Sequence, residues 1–220
     1  NWGRYLAWKK GEVRDAVRYH VGRMLACRTP QLGVHIYRCE QCGLERIVPH
    51  SCKSPFCSSC GKARTDQWCS ELLSELLEVP YRHLTFTLPW QIRLPIQDNR
   101  ERLLQVLCRA CADTLLALTY GHPKPLSRKA LERLKGMAAE QRYRPGIILV
   151  IHTFGSDLKW NVHLHVIVTC GGLSEDGTRF VKAPEKSLVS VKELATECKL
   201  RVIEGVQKEE EKSPLVKRRL

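Results

Sequence analysis

The sequence predicts an α+β protein: a helical, zinc-ribbon-like N-terminal module to about residue 80, then a domain with an antiparallel sheet flanked by helices. Three observations predict this. Two CxxC pairs, CEQC (39–42) and CSSC (57–60), lie in a segment with few apolar residues. Two apolar, β-branched runs, 146–155 and 161–172, are joined by SDLKW and indicate a hairpin. Segments with helical periodicity surround both features.

The N-terminal part begins with apolar residues at near-helical spacing over residues 4–26, with basic residues between them. We predict an amphipathic basic helix there, interrupted near Gly11. Residues 34–61 are rich in cysteine and turns. Residues 62–79 form a second predicted helix, which Pro80 stops.

The remaining elements follow from composition and capping. YRHLTFTLP (81–89) has the Thr and Phe content of a strand. Residues 98–120 and 127–143 are predicted helices, the second with Ser127 as its N-cap. A short strand at 178–182 and a helix at 191–206 complete the domain, and we expect the charged tail, 207–220, to be frayed.

The charge of the chain indicates a polyanionic partner. Among 220 residues, 36 Lys and Arg against 23 Asp and Glu give a net charge of +13, which favours nucleic acid through counterion release. Residues 1–70 are the more densely basic part, with 12 basic and 5 acidic side chains. The alternative is a solvated charged face. The candidate DNA-binding residues are Arg38, Arg46, Lys53, Lys62 and Arg64.

Targeting signals are not apparent in the sequence. No run of 18 uncharged apolar residues occurs, and the first residues contain no signal-peptide core. We expect a reducing, cytoplasmic location and no membrane span. The chain does not begin with Met, which is consistent with a fragment or a processed protein.

The two CxxC pairs predict a zinc site with Cys39, Cys42, Cys57 and Cys60 as ligands. Fourteen residues separate the pairs, a separation typical of one tetrahedral thiolate site. A closed shell of four ligands makes the zinc structural, in a segment too poor in apolar residues to fold alone. The alternative is four unrelated core cysteines. The ligand list remains open to three neighbours: His35, His50 and Cys52.

The run WNVHLHVIV (160–168) carries two histidines one residue apart. Strand side chains alternate faces, so His163 and His165 point the same way, about 7 Å apart along the strand. Across the predicted hairpin, His152 lies nearly opposite His163. Three neutral imidazoles with open coordination positions predict a divalent-metal site. The alternative is half-buried sheet histidines that neighbours satisfy.

Together these segments resemble a known family. HTFGSDLKWNVHLHVIVTCGGL is similar to the metal motif of HUH rolling-circle transposases, and CRTPQLGVHIYRCEQCG, PHSCKSPFCSSCGKAR and PYRHLTFTLP resemble members of the insertion-sequence-ninety-one type in the same order. The resemblance covers roughly residues 15–175. It divides the chain into a zinc-binding, DNA-binding domain (1–80), an incomplete HUH catalytic domain (81–206) and the tail (207–220).

The resemblance implies a mechanism and its partners. In the family, histidines hold Mg²⁺ or Mn²⁺, which orients the scissile phosphate of single-stranded DNA. A tyrosine on a later helix attacks and leaves a covalent 5′-phosphotyrosine and a free 3′-hydroxyl. By motif, His163 and His165 match the signature pair, while His152 takes the place of a third ligand in related relaxases. A dimer is a further possibility.

The sequence departs from the family at the nucleophile. The last tyrosine is Tyr143, and none occurs from Arg144 to Leu220. We therefore expect a C-terminally truncated or frameshifted transposase that keeps its DNA-binding and metal-binding parts. The alternatives are a tyrosine supplied by another chain, a substitute hydroxyl such as Ser174 or Thr178, a non-catalytic DNA-binding remnant, and a zinc-ribbon scaffold for protein or RNA.

Overall fold

The computed structural model describes residues 2–9, 12–54, 56–156, 159–184 and 189–215. The chain forms two compact units, Asn1–Leu77 and Glu78–Leu220. Helices and antiparallel sheets are present in the described residues, which confirms the prediction of an α+β protein.

The N-terminal unit is helical around one small hairpin. Its helices are α1 (Trp2–Trp8), α2 (Asp15–Leu25) and α3 (Ser58–Glu75), and its strands are β1 (Val34–Arg38) and β2 (Glu45–Pro49). A short 3-10 helix, Pro30–Leu32, precedes β1. The predicted first helix is two helices, and Gly11 lies outside the described residues. The hairpin was not predicted, because its strands are exposed on both faces and have no alternating pattern.

This unit buries few apolar side chains. Among its described residues, the buried apolar side chains are those of Val13, Ala26, Cys52 and Cys57. Two of these four are cysteines, so hydrophobic burial supplies little of the free energy of folding. A unit of this kind depends on a metal for its stability.

The C-terminal unit contains four strands and four helices in its described residues. The strands are β3 (Tyr81–Thr87), β4 (Arg144–Phe154), β5 (Trp160–Leu173) and β6 (Phe180–Lys182). The helices are α4 (Trp90–Asp98), α5 (Arg100–Thr119), α6 (Arg128–Gly136) and α7 (Val191–Lys212). Helix α4 was not predicted, because it contains Pro95 and proline disfavours the interior of a helix. No helix in the described ranges is both long enough and apolar enough to cross a bilayer.

Three predicted helices have substantially different ends in the structure. The helix predicted over 62–79 spans Ser58–Glu75 and so ends before it reaches Pro80. The helix predicted over 127–143 ends at Gly136 and is followed by a 3-10 turn at Ala139–Gln141. The helix predicted to end at residue 206 continues to Lys212, so residues 207–212 of the predicted frayed tail are helical. Two ion pairs, Lys208–Glu204 (i,i+4) and Lys212–Glu209 (i,i+3), stabilise the last turns of this helix.

The sheet is antiparallel, in the order β3-β5-β4, and β6 pairs with the end of β5. Alternate residues of β5 point to opposite faces. Val162, Leu164, Val166 and Val168 are fully buried and belong to the core, together with apolar residues of α5 and α7. The other face of β5 carries His163 and His165. The predicted pairing of His152 with His163 across the hairpin is confirmed by the register.

A buried carboxylate connects α7 to the loop before α6. Glu197 is fully buried, and its two oxygens accept hydrogen bonds from the backbone N–H groups of Leu126 (2.8 Å) and Ser127 (2.9 Å). Arg201, one turn later, lies 3.0 Å from the same carboxylate and donates to the carbonyl of Lys124. Both carboxylate oxygens of Glu197 therefore have hydrogen-bond partners, whereas Nε of Arg201 is buried and has none among the described residues.

Replacing Glu197 by Gln is expected to destabilise the C-terminal unit by about 3 kcal/mol, because an amide nitrogen then faces a backbone N–H and Arg201 loses its counter-charge. Chemical denaturation followed by circular dichroism measures the loss. The matched control is Glu204→Gln in the same helix, which breaks an exposed pair with Lys208 and is expected to cost less than about 1 kcal/mol. Equal losses in the two variants would contradict the role of Glu197.

Candidate metal centres

Four cysteines of the N-terminal unit converge on one point. The sulfur atoms of Cys27, Cys52, Cys57 and Cys60 all lie within 4.8 Å of one another. Three of the separations are 3.6 Å (Cys27–Cys60), 3.7 Å (Cys52–Cys60) and 3.7 Å (Cys27–Cys57). A tetrahedron with Zn–S bonds of about 2.3 Å has S···S edges of about 3.8 Å. The four thiols therefore fit a zinc ion.

The fold favours the thiolate form at Cys57 and Cys60, whose pKa values are lowered. The pKa of Cys52 is instead raised to about 12, because burial and the neighbouring thiols outweigh the hydrogen bond from the backbone of Ser54. Cys57 is the N-cap of α3 and Cys60 lies in its first turn, at the positive end of the helix dipole. The backbone N–H of Cys60, together with that of Ser59, lowers the pKa of Cys57 to about 7. Further N–H donors reach the sulfurs of Cys27 and Cys52 at 3.4 Å. The thiolate is the form that binds a metal.

The structure brings together a different set of thiols from the one predicted by the spacing. Cys39 and Cys42 are exposed at the turn between β1 and β2. Five-residue strands extend that turn about 17 Å from the base of the hairpin, and among the described residues neither thiol belongs to the four-cysteine group. Cys27 and Cys52 take their places in the group. The sequence signal for Cys52 was its closeness to CSSC, since it lies five residues before Cys57.

The two histidines near this group have a different environment. His35 and His50 lie with ring centroids 4.3 Å apart. His50 Nδ1 donates to the carbonyl of Leu32 at 3.1 Å, and its ring lies against Gly33, which has φ +90°. A side chain at Gly33 would be strained and would crowd this ring. The hydrogen bond and ring contact of His50 therefore stabilise the turn at Gly33. Within the described residues, neither His35 nor His50 belongs to a metal-ligating group.

The five predicted DNA-binding side chains are all exposed. Two of them have acidic partners: Arg38 lies 3.2 Å from Glu45, and Lys62 lies 2.6 Å from Asp66. For Arg46, Lys53 and Arg64, the described part of the chain shows no ion pair. These three cations are the ones most available to phosphates.

Single Cys→Ser substitutions distinguish the two ligand sets. Cys27→Ser and Cys52→Ser are expected to lose zinc and the fold of the N-terminal unit, because a three-thiolate shell no longer closes the site. Cys39→Ser and Cys42→Ser are the matched controls and are expected to keep one zinc per chain. Elemental analysis gives the stoichiometry. Loss of zinc from the controls, with retention in the first pair, would restore the set predicted from spacing.

A second group lies on the solvent face of the C-terminal sheet. One ring nitrogen from each of His152, His163 and His165 lies within 4.8 Å of the others. The three ring centroids are 4.2 to 5.3 Å apart. A register shift follows the His152–His163 pair; such bulges turn side chains and are frequent near active sites. The three residues predicted for the divalent site are thus neighbours on one face.

The ring nitrogens of this group are arranged to bind a cation. His163 Nδ1 lies 2.7 Å from the carbonyl of Asn161. A carbonyl only accepts, so Nδ1 carries the proton and Nε2 keeps its lone pair. Burial, with His152, His163 and His83 as neighbours, lowers the pKa of His165, so that it is neutral at pH 7. Asp157, the other polar neighbour considered from sequence, lies outside the described residues.

The donor set favours a transition metal over magnesium. Three imidazole nitrogens suit Zn²⁺, Cu²⁺, Fe²⁺ and Ni²⁺ best, whereas Mg²⁺ and Mn²⁺ are more often bound by carboxylate oxygens and water. Of the two cations that the sequence resemblance implies, Mn²⁺ is the transition metal and is therefore the better match to nitrogen ligands.

Two of the hydroxyl groups considered from the sequence, those of Tyr143 and Ser174, are poorly placed as nucleophiles. Tyr143, the last tyrosine, is 2% exposed and belongs to the hydrophobic core. Burial raises its pKa to about 12. Ser174 is also buried, and its hydroxyl donates to Asp176 at 2.6 Å in the turn after β5.

Comparisons with known proteins agree with this arrangement of two units. Residues 1–88 match the family model described as "Transposase zinc-binding domain", and residues 146–219 match the one described as "Putative transposase". The four-cysteine group lies within the first match, and His152, His163 and His165 lie within the second. No solved structure matches the chain significantly.

Two curated relatives cover most of the chain. One is "Putative transposase y4qJ" of Sinorhizobium fredii, 32% identical over 83% of this chain and 42% of its own length. The other is "Transposase for insertion sequence element IS801" of Pseudomonas savastanoi pv. phaseolicola, 36% identical over 77% of this chain and 37% of its own length. The chain thus spans less than half the length of either relative.

Proposed function

This chain belongs to the IS91-type transposases, and from that premise we propose that it binds transposon DNA and carries the metal site for single-strand nicking. The proposal rests on one observation: His152, His163 and His165 present ligand nitrogens within 4.8 Å of one another on the solvent face of the sheet. None of the three belongs to the hydrophobic core, which supports a binding role for them.

The three histidines would hold Mn²⁺, or Mg²⁺ more weakly, through ring nitrogens. When bound, such a cation polarises the scissile phosphate and stabilises charge in the transition state. The protein contributes a rigid strand pair that fixes the histidines in register and Asn161, whose carbonyl orients His163. The open face of the sheet leaves room for an extended DNA strand beside them.

The nucleophile in this proposal comes from outside these 220 residues. In the reaction, a tyrosine oxygen bonds to the 5′-phosphate, the phosphorus–3′-oxygen bond breaks, and the 3′-oxygen leaves as a hydroxyl after taking a proton. No tyrosine follows His165, and the core position of Tyr143 keeps it away from DNA. Another chain, or a segment beyond these residues, would supply the tyrosine.

The N-terminal unit supplies DNA affinity in this scheme. Zinc at Cys27, Cys52, Cys57 and Cys60 would hold α2, the loop after β2 and the start of α3 together. That frame presents Arg46, Lys53 and Arg64 to phosphates of single-stranded DNA or transposon ends. The five predicted basic residues then divide into three available cations and two, Arg38 and Lys62, that acidic partners partly neutralise.

The salt dependence of DNA binding tests whether Arg46, Lys53 and Arg64 contribute more to phosphate contacts than Arg38 and Lys62 do. The triple variant Arg46→Gln, Lys53→Gln, Arg64→Gln is expected to reduce the slope of log K against log salt by about 2, since each lost phosphate contact on a single strand changes it by about 0.7. Fluorescence anisotropy with a labelled oligonucleotide measures the slope. The matched control, Arg38→Gln with Lys62→Gln, is expected to change it less. An unaltered slope in the triple variant would place the DNA surface elsewhere.

Metal binding tests the histidine group. The double variant His163→Ala, His165→Ala is expected to keep its circular dichroism spectrum and to lose Mn²⁺ binding in calorimetry, because both side chains lie on the face opposite the core. His122→Ala, in the loop after α5, is the control for loss of a histidine from the same unit. A double variant that does not fold would show that the pair is structural instead.

A second candidate function is a DNA-binding protein that does not cleave, and the burial of Tyr143 and of Ser174 favours it. Labelled single-stranded DNA with Mn²⁺, analysed on native and denaturing gels, separates the candidates. Mn²⁺-dependent binding that requires His163 and His165 supports the nicking site. Salt-steep binding without metal dependence supports the second function. A covalent adduct would show that a residue of this chain is the nucleophile.

A further inference from the structure

A fourth histidine contacts the group of three. His83 belongs to β3, on the other side of β5 from β4, and pairs with Ile167 in the register. Its side chain therefore points to the same face as His165 and lies diagonally across from it. His83 Nε2 lies 2.7 Å from His165 Nδ1. No sequence motif predicts a role for this residue.

The geometry is that of a hydrogen bond between two rings. The ring planes are within 6° of parallel, with centroids 4.9 Å apart. A nitrogen–nitrogen distance of 2.7 Å is too short for rings stacked face to face, so the contact lies close to the plane of both rings. One nitrogen carries the proton and the other accepts it.

The direction of this bond decides whether His165 can bind a metal. If His83 donates, His165 keeps its proton on Nε2, and neither of its nitrogens has a free lone pair. If His165 donates from Nδ1, its Nε2 is free, as Nε2 of His163 is free beside the carbonyl of Asn161. Metal-binding histidines typically donate their other N–H to a neighbouring acceptor, which fixes tautomer and ring orientation.

We propose that His83 is the positioning residue of the metal site: its Nε2 accepts the Nδ1 proton of His165 and so presents Nε2 of His165 to the cation. The inference rests on the proposed function of the three histidines. His83 itself is not one of the three side chains whose ligand atoms lie within 4.8 Å of one another. It acts through His165. In this arrangement the backbone carbonyl of Asn161, on the same strand, orients His163, and the side chain of His83, on the neighbouring strand, orients His165.

The tautomer of His165 gives a test that needs no metal. Long-range proton–nitrogen NMR spectra of the metal-free chain identify which ring nitrogen carries the proton. In the wild-type chain we expect His165 to be protonated at Nδ1. In His83→Ala we expect a shift to protonation at Nε2, the form that neutral imidazole side chains favour in water. Protonation at Nε2 in the wild-type chain would overturn the proposal, whatever the site binds.

Metal affinity gives the second readout. Calorimetric titration with Mn²⁺ is expected to show 10- to 100-fold weaker binding for His83→Ala. His83→Gln, whose side-chain oxygen can accept the same proton, is expected to restore most of the affinity. His122→Ala, the remaining histidine of this unit, should bind Mn²⁺ as the wild type does. If His83→Gln is as weak as His83→Ala, His83 is a ligand and not an acceptor, and the proposal fails.

The two readouts separate this inference from the proposed function. If His163→Ala, His165→Ala binds Mn²⁺ like the wild type, the metal site itself is absent from this face. The NMR result for His165 would then still report whether His83 fixes its tautomer. If the double variant loses Mn²⁺ while His83→Ala changes neither tautomer nor affinity, the metal site stands and the role of His83 does not.

Discussion

The two faces of β5 are the constraint on which the C-terminal unit depends. A strand has a period of two, so each residue that enters the core places its neighbour on the opposite face. Val162, Leu164 and Val166 hold the strand against the helices, and that anchoring fixes the positions of His163 and His165. A register shift of one residue would exchange the two sets. The same hydrophobic burial that stabilises the sheet therefore sets the geometry of the candidate metal site.

The N-terminal unit is built on a different principle. It has almost no apolar core in its described residues, and the four thiols connect the end of α2, the loop after β2 and the start of α3. In such a unit, metal binding supplies the folding free energy that a hydrophobic core supplies in other domains. Because the metal site supplies the stability of the unit, the remaining surface can carry basic side chains.

The sequence was a good guide where one periodic pattern dominated. The alternation in WNVHLHVIV and the length of the SDLKW turn were enough to place His152 opposite His163. It was a poorer guide where distant segments meet. Cys27 follows a helix and Cys52 follows a loop, so no local spacing relates them, whereas the CxxC at 39–42 looks like a ligand pair until the intervening hairpin is known. His83 has no local signal at all, because its partner lies 82 residues away.

The exposed turn between β1 and β2 has a chemical consequence of its own. Backbone N–H groups of Cys42 and Gln41 lower the pKa of Cys39, and both thiols face solvent. A thiolate with a second thiol beside it is the side chain that oxidants and alkylating agents attack first. In the purified protein, a disulfide at this turn would form while the four clustered cysteines are protected by their metal. A count of reactive thiols would then have to allow for the two oxidised cysteines of the hairpin before it could report zinc occupancy.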